Sequence, residues 1–114
     1  MHRKTSFKYR GKKISIGVED CNTFGKFRGL MFRRKEEARA LLFDFKRPVS
    51  LRLHSLFVFF PFIAVWIDGR GKVIGARKIP PFSFSAMPKK PFRKIIEIPD
   101  NTKYKKEITG LMQK

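Results

Sequence analysis

The stretch SLFVFFPFIAVWID, Ser55 to Asp68, decides how the rest of the chain is read. From Leu56 to Ile67 it runs twelve apolar residues without a break, inside a protein of formal net charge +18. As a helix, that run reaches only about 18 Å, against a hydrocarbon core of about 30 Å. Pro61 in its middle would also remove a hydrogen bond and clash with the preceding turn. Phe, Val, Ile and Trp dominate, and these residues favour strands. The stretch predicts two buried strands, Ser55–Phe60 and Phe62–Ile67, with Pro61 at a bend, and it argues against a membrane anchor.

The composition agrees with a folded core. In 114 residues there are 42% apolar residues, thirteen of them Phe. A disordered chain of this charge would be poor in aromatics, so one folded domain over residues 1–114 is expected. Lys plus Arg total 27 against 9 Asp plus Glu, with no basic tail on a neutral body: residues 1–20, 21–53, 54–85 and 86–114 carry +4, +6, +3 and +5. Such a field speeds encounter with any polyanion and, through self-repulsion, favours a monomer. Cys21 is the only cysteine, which rules out an internal disulfide and fits a reducing, cytoplasmic location. The opening MHRKTSFKYR is basic but lacks the apolar run of a signal peptide. Scarcity of Asn and Gln beside many Lys and Arg is the pattern of thermophile proteins.

Around the central run the chain reads as short strands. TSFKYRGKKISIGVED predicts a hairpin turning at Arg10–Lys12, with Phe7 and Tyr9 on one face of the first strand and Ile14, Ile16 and Val18 on one face of the second. Phe24, Phe27 and Met31 fall at helical spacing after the capping residues Asn22 and Thr23. RRKEEARA reads as an exposed turn, Leu41–Phe45 and Val49–Ser55 as strands, Asp68–Gly71 as a turn, and Lys72–Ile79 and Phe92–Ile98 as further strands. Pro80–Pro91 is a long loop. The final segment begins with capping residues and sets Tyr104, Ile108 and Leu111 on one helical face, with Gly110 placed to end the helix. About seven strands with one or two short helices predict a mainly β domain, an antiparallel barrel or sandwich.

RGLMFR at Arg28–Arg33, then LLFDF, then the apolar strand with Pro61 and WID, then GKVIGARKIPPF, then IIEIP at Ile95–Pro99, form an ordered set of blocks. In this order the chain resembles the domain of unknown function 192 family from about Asn22 to Gly110. The resemblance implies a mainly β barrel or sandwich with short helices, and no established enzyme activity. Many members carry a polar Lys-Asn-Thr before the proline and Pro-Leu-Asp after it. Here Leu56-Phe57-Val58 and Pro61-Phe62-Ile63 stand there instead, so chemistry resting on those polar groups does not carry over.

Few residues suggest chemistry. Glu97 interrupts the apolar IIEIP, sharing a strand face with Ile95 while Ile96 and Ile98 share the other; an inward carboxylate needs a basic partner or a ligand. Arg52 and His54 are expected to project from one strand face beside the apolar run, and His54 is a candidate for proton transfer. Cys21 has no marked catalytic partner. One Cys and two His at positions 2, 21 and 54 lack metal-ligand spacing, so neither metal nor cofactor is expected. GRGKVIG lacks the Gly-Lys-Ser/Thr of a phosphate loop and reads as a hairpin turn. Arg28 with its basic neighbours, and Lys89 and Lys90 beside Pro91, form candidate anion-binding edges, although charge runs are commonly solvated faces.

The sequence therefore predicts a non-catalytic basic module that binds an anionic ligand or a protein partner, with Arg28, Arg52, His54, Glu97, Lys89 and Lys90 as candidate contacts. The alternative is sequence-nonspecific nucleic-acid binding through phosphates. An enzyme using His54 and Glu97 is the third reading.

Overall fold

Tyr9 and Lys12 face each other across a two-residue turn in which Arg10 and Gly11 both take positive φ, 52° and 80°. That is the turn whose twist matches a tight hairpin, and glycine at its second position relieves the strain. It joins β1 (His2–Tyr9) to β2 (Lys12–Asp20) in full antiparallel register. The computed structural model describes residues 2–21, 34–50, 60–82 and 88–112, and all structural statements concern these. The expected helix near Phe24, most of the strand at Val49–Ser55 and residues 55–59 of the opening stretch lie outside them.

Four more strands follow: β3 (Leu41–Val49), β4 (Phe62–Ile67), β5 (Val73–Ile79) and β6 (Phe92–Pro99). They form one curled sheet in the order β1-β2-β3-β6-β4-β5, a half-barrel in which β5 bends back toward β1. A turn of 3-10 helix at Thr102–Tyr104 leads into α1 (Lys105–Met112). The protein is thus mainly β. Among the described residues no helix is long and apolar enough to cross a membrane.

Every residue of β4 is buried, because both faces of this strand are covered. Ile63, Val65 and Ile67 enter one apolar cluster with Phe7, Ile14, Ile16, Val18, Ile96, Ile98 and Leu111. Phe62, Ala64 and Trp66 enter a second with Leu41, Phe43, Phe60, Phe92 and Ile95. An unbroken apolar run is the signature of a strand buried on both sides, whereas alternation marks one face in water. β2, with Ile14, Ile16 and Val18 buried between exposed neighbours, shows the second case.

Three features depart from the expectation. β2 and β3 run parallel and meet only through Glu19 opposite Leu41 and Asp20 opposite Leu42. β3 passes through Pro48 to Val49 rather than stopping, since the pairing with β6 is irregular between Asp44 and Val49 and tolerates a residue without an N–H. Lys46 has φ 61° in this bulge, and its N–H donates to Asp44 Oδ1 at 2.8 Å. Finally, α1 continues past Gly110 to Met112, held by Leu111 in the core.

The turn over 34–40 is tied to the start of the helical segment. Asn101, buried at 5% exposure, donates from Nδ2 to the carbonyls of Lys35 (2.7 Å) and Ala38 (3.0 Å). Its Oδ1 accepts the N–H of Lys103, capping the 3-10 turn. Glu36 Oε2 accepts from both the N–H and the hydroxyl of Thr102.

Candidate functional site

The acidic residues are largely spent on structure. Asp20 pairs with Arg3 (2.8 Å), Asp44 with Arg93 (3.2 Å), Asp100 with Lys78 (3.3 Å) and Glu37 with Arg34 (4.0 Å). Asp68 Oδ1 accepts the N–H groups of Arg70 and Lys72 and so closes the turn expected there. These hydrogen bonds, led by that from Lys72, hold the Asp68 carboxyl below its ordinary value of 3.8. For Asp44, partial burial opposes ionisation, but the Lys46 N–H and the Arg93 guanidinium outweigh it and lower its pKa as well.

With the carboxylates so placed, the cations gather elsewhere. Two open grooves adjoin α1. The first, about 550 Å³, is lined by Arg3, Lys4, Arg39, Lys103, Tyr104 and Glu107. The second, about 500 Å³, is lined by Lys4, Lys12, Lys13, Lys106, Glu107 and Gly110. Lys4 and Glu107 belong to both, so the grooves meet there. Lys4, Lys13, Lys103 and Lys106 are exposed and make no ion pair among the described residues. Glu107 is the one carboxylate in either lining, and its position in the first turn of α1 suits the positive end of the helix dipole.

The fold explains this gathering. β2 separates from β3 beyond two residue pairs, and α1 lies against β2, where a side chain at Gly110 would meet Ile14 Cδ1 at 3.8 Å. Tyr104 and Leu111 anchor the helical segment in the core. Arg39 is held between two tethered neighbours: Ala38 O accepts from Asn101, and Ala40 N–H donates to the Tyr104 hydroxyl at 2.8 Å. Lys103 and Lys106 come from the helical segment, and Lys4 and Lys13 from opposite strands of the hairpin.

Of the residues singled out from sequence, Lys89, Lys90 and Glu97 are not among the described residues that line these grooves. Arg28, Arg52 and His54 lie outside the described residues. Lys89 and Lys90 are exposed beside Pro88, and a side chain added at Gly75 would meet both Pro88 Cβ and the Trp66 ring. Glu97 is on the strand face expected for it, 6% exposed, between Leu41 on β3 and Ala64 on β4, with an interaction of its own. Its neighbour across Ala64 is Arg77, whose guanidinium lies 5.8 Å over the Trp66 ring. Among the described residues no group of three or more His, Cys, Asp or Glu side chains is placed to hold a metal ion.

A single curled β sheet with a helix against its first hairpin defines the structural class of the protein. The profile of the domain of unknown function 192 family, described as "Uncharacterized ACR", matches residues 6–112, and the chain belongs to that family. Two crystal structures share the fold. One is a candidate transcription regulator of Sinorhizobium meliloti, with TM-score 0.73 and 20% identity over 86% of this chain and 79% of that one. The other is a protein of unknown function from Novosphingobium aromaticivorans, with TM-score 0.70 and 14% identity over 90% and 75%. No curated protein matches the sequence.

Proposed function

We propose that the protein is a non-catalytic binding module that takes an anionic ligand in the paired grooves beside α1. The carrying observation is the concentration there of lysines without carboxylate partners, Lys4, Lys13, Lys103 and Lys106, around a single Glu107. Concave sites of a few hundred Å³ with convergent polar groups are the usual form of ligand sites. A groove lined by one sign of charge also concentrates counter-ions near it. The lone cysteine suits a cytoplasmic setting, and the net charge of +18 favours a monomer.

The test is titration of the folded protein with pyrophosphate and with heparin across a salt series. Saturable binding that weakens with salt and is lost in Lys4→Glu/Lys106→Glu supports the site. Binding unchanged in that variant but lost in Lys89→Glu/Lys90→Glu moves it to the Pro88–Pro91 edge.

A further inference from the structure

We infer that the anion is a single strand of nucleic acid, gripped along its phosphates and blind to its bases; this rests on the reading of the grooves as an anion site. The spread of charge suits an extended polyanion better than a compact one. Lys4 stands opposite Gly17 and Lys13 opposite Lys8, four steps apart in the hairpin register, which at strand spacing is about 13 Å. Lys103, on the 3-10 turn, lines the first groove with Lys4, and Lys106, on α1, lines the second with Lys4 and Lys13. One phosphate group reaches only one end of this array, whereas a chain with a charge on every repeat meets it throughout.

The shape of the site separates one strand from two. Each groove is a concavity of about 500–550 Å³, a volume suited to a ligand of one or two nucleotides. A flexible strand can enter and pass from one groove to the other at Lys4. A duplex is a stiff rod that presents its phosphates outside such hollows.

Side-chain chemistry sets the limit of recognition. Tyr104 is the one aromatic among the described residues in either lining, and it is buried with its hydroxyl committed to Ala40. The grooves thus offer no stacking platform among the described residues. Lysine contributes a compact point charge without the planar fork that reads base edges. Glu107 at the junction repels the strand locally and sets the phosphates to either side of it. An acidic polypeptide brings charge too, but it lacks the condensed counter-ions whose release drives strand binding.

The experiment is fluorescence anisotropy of the full chain with labelled twelve-nucleotide dT and rA strands, a duplex of equal length and a twelve-residue polyglutamate, each over a salt series. The expected result is similar affinity for both strands, at least about tenfold above duplex and polyglutamate, with a log–log salt slope of about −2 to −4, from about −0.7 per phosphate contacted. Lys4→Ala and Lys106→Ala, both at exposed positions, should each weaken strand binding several-fold and flatten the slope by about 0.7. Lys89→Ala/Lys90→Ala should leave it unchanged. Equal binding of duplex or polyglutamate, still dependent on Lys4, overturns the single-strand assignment and leaves the anion site standing. Binding of every probe that ignores Lys4 and Lys106, or no binding at low salt, overturns both.

Discussion

Tyr104 and Ala40, 64 residues apart in sequence, are joined by one buried hydrogen bond in which the Ala40 N–H donates to the Tyr104 hydroxyl at 2.8 Å. The bond fixes the entry to β3 against the helical segment and sets Arg39 at the mouth of the first groove. Tyr104→Phe keeps the ring in the core but strands a buried N–H, which costs about 1–3 kcal/mol. Denaturant unfolding of the variant should show a lower midpoint with an unchanged slope. An unchanged midpoint would mean that water serves the Ala40 N–H as well as the tyrosine does.

Asn101 has a double role, and two substitutions separate its parts. Asn101→Asp keeps the acceptor that caps Lys103 but loses the donors to the Lys35 and Ala38 carbonyls, while Asn101→Ala loses both. The aspartate variant should be destabilised, and the alanine variant by about a further 1 kcal/mol, the usual worth of a cap. Thermal melts of the three proteins give the order; an aspartate variant as stable as the parent would remove the carbonyl contacts from the account.

Acid sensitivity should come from Asp44 and Asp68. Both carboxyls titrate below 3.8 in the folded protein, so the folded state holds fewer protons than the unfolded chain in that range. Their contribution is fully present above the unfolded value, about 3.9, and fades as pH falls through the folded values. Stability measured from pH 7 to 2 should therefore be flat near neutrality and fall below about pH 4. Asp44→Asn and Asp68→Asn should each make that fall shallower.

Glu107 gives a prediction of opposite sign to the lysines. Glu107→Gln removes the only carboxylate in the groove linings, and anion affinity should rise about two- to threefold at low salt, with the gain shrinking as salt screens it. The same change removes a favourable charge from the first turn of α1 at a cost of about 0.3–1 kcal/mol. Tighter binding with a lower melting temperature is the expected pair of readings. Weaker binding would make Glu107 a contact for the ligand instead of a repelling charge.

Local patterns in the chain were open to direct reading. The run through Phe62–Ile67 announces a strand covered on both faces, and RG at positions 10 and 11 announces a tight hairpin. The faces assigned to Ile96 and Glu97 are those observed, because period-two alternation survives wherever a strand is regular. Gly110 misled because a glycine late in a helix serves as a stop only when nothing beyond it is buried, and Leu111 is. The parallel meeting of β2 with β3 was hidden, since alternation shows which side of a strand is apolar but not which strand lies beside it. The groove was hidden for the same reason: Lys4, Lys13, Lys103 and Lys106 look like ordinary solvated charges until α1 is known to lie against the hairpin.

That arrangement has a consequence during synthesis. The hairpin leaves the ribosome before α1, with four described strands between them, so a nascent chain carries positive charge on the hairpin before these grooves can form. The proposed grooves exist only once α1 has docked against the hairpin. Peptides copied from either end would be sticky toward polyanions, yet unable to choose among them.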